Sequence, residues 1–238
     1  GPAQFSDGVA DVKKDGKLGF IDKTGKELFP FRKYDYVGGF VNGLSSFRII
    51  KGGKELYGFV DKSGNEVIPA AYDDLQISWF ENGYAIVKKN GKYGTVNRQN
   101  VMVIPFEYEK LNDFNNGITT AKKGGKWGII DTANKELVAF TMDYETVYEF
   151  SSGYAYTEKK GVKGYIDTKG KPAFTGITFS EAFPFGINGY AIVCEEKGKR
   201  YLLNANGSTL FKGSVYTDIN QLEDNSFLVT QDSVQGII

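Results

Sequence analysis

The stretch Phe80-Glu81-Asn82-Gly83-Tyr84-Ala85-Ile86-Val87-Lys88-Lys89-Asn90-Gly91-Lys92-Tyr93-Gly94-Thr95-Val96-Asn97-Arg98-Gln99-Asn100 decides the fold. Asn82-Gly83 tolerates positive φ at both central positions of a tight turn. Tyr84–Val87 is rich in strand formers, and Lys88-Lys89-Asn90-Gly91 turns the chain into a second strand, Lys92–Val96. Asn97-Arg98-Gln99-Asn100 then predicts a side-chain-capped type I turn that ends in a left-handed residue, the signature of a hairpin with a glycine-type bulge. Val101–Pro105 follows as a short third strand, which its proline ends or confines to an edge. Tyr108-Glu109-Lys110-Leu111 reads as a fourth.

This block is written six times, with part of a seventh. Its Phe-x-x-Gly starts, with one added residue in the sixth copy (Phe185 to Gly189), fall at Phe5, Phe40, Phe80, Phe114, Phe150 and Phe185, in steps of 35, 40, 34, 36 and 35 residues. A fixed period of this size marks a repeat architecture. The capped turn recurs as Asp22–Gly25, Asp61–Gly64, Asp131–Asn134, Asp167–Gly170 and Asn204–Gly207, and its fourth residue is always Gly or Asn. These are the residues that enter the left-handed region most cheaply. The second strand carries a recurring glycine, in Leu18-Gly19-Phe20, Tyr57-Gly58-Phe59, Tyr93-Gly94-Thr95, Trp127-Gly128-Ile129 and Lys163-Gly164-Tyr165. A glycine inside a strand costs stability, so its recurrence predicts the close approach of another backbone or ring. Trp127 and Ile129 face one way and Ile130 the other. A sheet apolar on both faces must be covered on both, and neighbouring repeats are the cover.

The expected architecture is all-β: a tandem antiparallel array of stacked four-stranded units with almost no helix, open and curved. A closed six-bladed β-propeller is the alternative. Residues 1–4 form a lead-in, with Gly1-Pro2 read as the remnant of a cleaved tag. The array occupies 5–238, as copies 5–39, 40–79, 80–113, 114–149, 150–184, 185–224 and the partial 225–238.

Composition removes several function classes. The 238 residues include no histidine, so serine triads, cysteine–histidine dyads and imidazole metal sites are excluded. One cysteine, Cys194, excludes an internal disulfide framework, and its apolar strand predicts a buried thiol. Lys plus Arg equals Asp plus Glu at 29 each, so no global field draws the chain to nucleic acid. No apolar run is long enough to span a bilayer. The Asp-x-x-Gly turns lack the alternating oxygen ligands of a calcium loop, and no metal or other cofactor is expected.

With these residues laid out, the chain resembles the bacterial WG-repeat, or KWG-repeat, family. The resemblance rests on Gly125-Lys126-Trp127-Gly128-Ile129-Ile130-Asp131, followed by the recurring Val/Leu-Ile/Phe-Pro and Tyr-Asp/Glu elements. The namesake tryptophan stands only at Trp127. Its slot otherwise holds Leu18, Tyr57, Tyr93, Lys163 and Arg200, and Tyr201 replaces the glycine of the last full copy. The resemblance implies a non-enzymatic repeat module, exported or surface-associated in bacteria, with no common ligand.

The expected function is a binding and scaffolding module of a bacterial envelope or secreted protein, recognising a protein or glycan over an extended surface. A carbohydrate-active enzyme on a propeller-like scaffold is the alternative. The candidate contact residues are the hairpin tips Lys88, Lys89, Lys122 and Lys123. Trp79 joins them because it sits beside the additional residues of the long second spacing. Exposed lysines also block edge-to-edge aggregation, so solubility alone accounts for some of them. Asp35, Asp73, Glu109 and Glu145 are expected to form an acidic row elsewhere on the surface. Tyr36, Tyr148 and Tyr156 fall outside the inward-facing aromatic pattern.

Overall fold

The computed structural model describes residues 5–15, 17–28, 30, 33–76, 83–186, 188–195, 199–212, 216–222, 226–231 and 233–237. Among these every regular element is a strand, and the strands form seven antiparallel sheets in chain order. Sheet one comprises Phe5–Ser6, Val9–Lys14 and Lys17–Asp22. Sheets two to six each have a short entry strand, two central strands and an edge strand. In sheet two these are Tyr36–Val37, Leu44–Lys51, Lys54–Asp61 and Glu66–Tyr72; in sheet three, Asp74–Leu75, Tyr84–Lys89, Lys92–Asn97 and Met102–Tyr108. Sheet four has Lys110–Leu111, Ile118–Lys123, Lys126–Asp131 and Glu136–Met142; sheet five has Thr146–Ser151, Tyr154–Lys159, Val162–Asp167 and Pro172–Ala173. Sheet six has Glu181–Ala182, Tyr190–Cys194, Arg200–Asn204 and Thr209–Leu210, and sheet seven has Asp218–Gln221, Phe227–Gln231 and Val234–Ile237. The chain divides into two compact units, Gly1–Lys110 and Leu111–Ile238.

The all-β tandem reading is borne out, and the turns explain why each sheet is a meander. At all six capped turns the Asp or Asn Oδ1 accepts the amides two and four residues ahead, as Asp131 does from Ala133 at 2.9 Å and Lys135 at 2.8 Å. Asn100 and Asn134 hold φ of +59° and +65°, in line with +81° at Gly64 and +73° at Gly170. The side-chain acceptor replaces the amide's lost water, while the fourth residue supplies the reversed twist.

Two details sharpen or correct the sequence reading. First, of the two roles open to the prolines the edge placement holds: Pro69 and Pro105 sit in edge strands that run on to Tyr72 and Tyr108. In sheet two Tyr57 pairs Tyr72 and Phe59 pairs Ile68, so the edge strand carries a bulge that begins at Pro69. Pro105 takes the same place in sheet three, where Tyr93 pairs Tyr108 and Thr95 pairs Ile104. A bulge on an edge strand needs no amide donor, and proline costs nothing there. Second, the Tyr-Asp segment does not complete its own copy. Asp74 and Leu75 pair with Lys88 and Val87 of the following copy, and Thr146 and Val147 pair with Glu158 and Thr157. Sheets two to six therefore each take their first strand from the preceding copy.

Both faces of the central strands are buried, as their composition requires. Within the first unit, Phe20, Phe40, Phe47 and Val60 join sheets one and two, and Phe59, Ile68, Ala85 and Val87 join sheets two and three. Within the second unit, Trp127, Ile129, Val147 and Ile166 lie between sheets four and five. Tyr156, Tyr165, Val193 and Leu203 lie between five and six, and Leu202, Ile219 and Val229 between six and seven. Cys194 is fully buried, as expected from its strand.

Candidate functional site

The hairpin tips are two-residue turns whose central residues both take positive φ, as the twist of the flanking strands requires. Gly52-Gly53, Asn90-Gly91, Gly124-Gly125 and Lys160-Gly161 fill these positions, with φ of +50° at Lys160. Directly opposed pairs then flank the turns: Lys51 with Lys54, Lys89 with Lys92, and Lys123 with Lys126. Like charges facing each other are unfavourable, so the ammonium groups disperse onto aromatic rings and carboxylates. Lys88 Nζ lies 5.1 Å from the Tyr93 ring centre and Lys89 Nζ 5.9 Å from that of Tyr72. Lys122 Nζ lies 5.7 Å from the Trp127 ring. Lys88 and Lys122 are half-buried by this contact, whereas Lys89 and Lys123 are exposed. Trp79 lies outside the described residues.

The acidic row is not remote from the lysines. Asp35 accepts the Ile50 amide at 2.7 Å and Asp73 the Gly91 amide at 3.1 Å, both beside the tips. Glu109 pairs Lys92 at 3.5 Å. Asp143, which sequence reasoning did not single out, binds Lys126 at 2.6 Å and Lys159 at 2.9 Å and so ties the tips of sheets four and five together. Those two ammonium groups hold its carboxyl down at about 2. The entry strands place Asp35, Asp73 and Asp143: each strand begins on the tip side of the first central strand and runs antiparallel away from it, so the acid that precedes it lies beside the tip. Of the atypical aromatics, Tyr36 and Tyr148 are exposed, but Tyr156 is buried and contacts both Tyr148 and Tyr165.

The second feature is a cleft of about 480 Å³ on sheet five. Its walls are the side chains of Tyr144, Tyr165, Phe174, Ile177 and Phe179, and its floor is the backbone at Gly164. Lys159, Lys160 and Lys163 line its mouth. Burial pushes the Tyr165 phenol up, and its hydroxyl is committed to the Phe183 carbonyl at 2.6 Å, so this group acts as wall rather than as acid or base. The size lies within the range of ligand pockets, and an apolar floor with a cationic rim suits an amphiphilic anion. The sequence carried a signal for it: Ala173-Phe174-Thr175-Gly176-Ile177-Thr178-Phe179 lacks the proline of Ile68-Pro69 and Ile104-Pro105 and is two residues longer than Ile68 to Tyr72 or Ile104 to Tyr108.

No helix among the described residues is long and apolar enough to cross a membrane. No curated protein matches the chain significantly. Among solved structures, the fold is similar to a eukaryotic initiation factor at a TM-score of 0.61 and 10% identity, covering 94% of this chain and 68% of that one. It is also similar to KlHsv2 with loop 6CD replaced by a Gly-Ser linker, at a TM-score of 0.51 and 11% identity, covering 94% and 85%. At such identities the likeness concerns the fold alone, which in these neighbours is β-propeller or repeat-like. The model of the WG containing repeat matches residues 19–54, 57–93, 93–127, 127–162 and 164–199 in tandem. These matches take in the capped turns from Asp22 to Gly170 and the central glycines from Gly19 to Gly164, and the chain belongs to the WG-repeat family.

Proposed function

We propose that this array is a non-enzymatic binding module, part of a bacterial envelope or secreted protein, that recognises a protein or acidic glycan through its hairpin tips and the cleft on sheet five. The observation that carries this reading is the recurrence of lysines on rigid tips. Each tip is set by an obligatory positive-φ turn, and Lys88, Lys89 and Lys122 are held over aromatic rings. A cation so held loses less conformational freedom on binding than one on a free stem, which favours recognition of an anion. The carboxylates beside the tips oppose this and restrict binding to partners whose anionic groups fall between them.

The test is a binding screen of the chain against acidic glycans, peptidoglycan fragments and envelope proteins at two ionic strengths. Affinity should fall with salt, because exposed charges are screened over about 10 Å at 0.1 M. It should also fall in Lys88→Glu/Lys89→Glu. Binding indifferent to both would remove the tips from the interface. Glycoside turnover abolished by one Asp or Glu substitution would replace the binding reading with an enzymatic one.

A further inference from the structure

The cleft exists because sheet five departs from a rule that sheets two, three and four keep. In sheets two, three and four, three residues separate the edge-strand partners, as between Ile68 and Tyr72, Ile104 and Tyr108, and Val138 and Met142. That short bulge presses its carbonyl onto the central glycine. A Cβ at Gly58 would lie 2.4 Å from the Ile68 oxygen, at Gly94 2.6 Å from that of Ile104, and at Gly128 2.9 Å from that of Val138. A ring closes over each glycine as well: Phe47, Phe106 and Phe140 respectively, each within 3 Å of the added atom.

In sheet five, Tyr165 pairs Ala173, and the next bridge is Lys163 to Phe179, with five residues between. Phe174 takes φ of +54° and its ring contacts Tyr154, Tyr165 and Phe185 instead of covering Gly164. A Cβ at Gly164 would meet only Thr157 Oγ1, at 3.7 Å. Sheet six has a loop of the same length, since Leu202 pairs Leu210 and Arg200 donates to the Tyr216 carbonyl. There the glycine is replaced by Tyr201, which is buried to 4% exposure. Its hydroxyl donates to Glu195 at 2.8 Å, and Lys212 lies 5.4 Å over the ring while pairing the same carboxylate at 2.8 Å. Sheets two, three, four and six therefore each place an aromatic ring at this position, and the one of them with a long loop takes a ring, a lysine and a carboxylate together. Sheet five keeps the long loop but has Gly164 in place of Tyr201, Thr175 in place of Lys212 and Lys159 in place of Glu195, so ring and carboxylate are both missing and its lysines, Lys159, Lys160 and Lys163, come from the hairpin.

We propose that the cleft at Gly164 is the docking site for an aromatic side chain carried in an acidic segment of a partner protein. The partner's Phe or Tyr ring takes the place that Tyr201 fills in sheet six, and its flanking carboxylates meet Lys160 and Lys163. Lys159 is already paired with Asp143, whereas no ion pair of Lys160 is present among the described residues. An aromatic anchor in a pocket ringed by charge is a common way for a small surface to dominate binding. The proposal rests on the binding-module reading and names one partner class for it.

The probe is the peptide acetyl-Asp-Glu-Phe-Glu-Asp-amide with a fluorinated ring, followed by fluorine NMR on the whole chain. Binding should weaken about tenfold or more when the peptide's Phe becomes Ala, when Lys160→Glu or Lys163→Glu reverses the rim, and in Gly164→Tyr, which fills the cleft from within. Circular dichroism checks that Gly164→Tyr is folded; if it is not, the surface variants carry the test alone. Unchanged affinity in the Lys160 and Lys163 variants would overturn the proposal. So would binding of phenylacetate as tight as the peptide, which would mark a small-molecule site. Glycan or protein binding unchanged in Lys88→Glu/Lys89→Glu, with intact peptide binding, would sink the tip reading and leave the cleft standing; the converse would sink only the cleft.

Discussion

The contrast between Gly128 and Gly164 yields a decisive measurement, because both lie in the second unit at the same register of adjacent sheets. An alanine methyl at Gly128 would stand 2.9 Å from both the Phe140 ring and the Val138 carbonyl oxygen. That is about 0.5 Å inside ordinary contact, and the oxygen belongs to a backbone bulge that cannot rotate away. Overpacking of this kind costs about 1–3 kcal/mol. The same methyl at Gly164 meets one hydroxyl at 3.7 Å. Without a clash, Gly→Ala stabilises by about 0.4–1 kcal/mol, by restricting the unfolded chain. Thermal unfolding followed by the fluorescence of the adjacent Trp127 would read the difference, at about 2–4 °C per kcal/mol for a chain of this size. Gly128→Ala should melt several degrees below wild type and Gly164→Ala at or above it. Phe140→Ala should not rescue Gly128→Ala fully, because the carbonyl remains. Equal melting of the two alanine variants would refute the claim that the bulge length sets the need for glycine.

Asn134→Gly should leave stability unchanged or slightly raised and Asn134→Val should lower it by about 1–2 kcal/mol in urea unfolding, since φ is +65° there. Trp127→Ala should cost about 3–5 kcal/mol for a side chain only 4% exposed. Trp127→Phe should cost much less than Trp127→Ala, because the indole nitrogen has no hydrogen-bond partner to lose among the described residues. Asp143 titrates at about 2, below its ordinary 3.8, because two lysines stabilise its charge. The depressed value means its contribution is present above pH 4 and is lost as pH falls towards 2. Carbon NMR of the carboxyl should show that midpoint and should show it rise in Lys126→Ala, while Asp143→Asn should flatten the melting curve against pH in that window.

The repeat period, the hairpins and the capped turns were legible in the sequence because each depends on local backbone energetics. Asn100 and Asn134 could be placed in the left-handed region from the glycines at equivalent positions, and no tertiary information was needed. The burial of Trp127 and the crowding at Gly128 were likewise readable, since a strand apolar on both faces has to be covered on both. The role of Pro69 and Pro105 was not, because whether a proline ends a strand or begins a bulge depends on the pairing partner beyond it. Nor could the sequence show that the acids flank the lysine tips, which follows from the entry strand joining the next copy. The cleft was the least legible feature. Gly164 looks like every other central glycine; the missing proline and longer stretch from Ala173 to Phe179 mark an altered loop, but only the packed sheet reveals that this loop leaves the glycine uncovered. Local conformational preference is written residue by residue, whereas an empty volume depends on the distance between segments, and that distance exists only once the chain is folded.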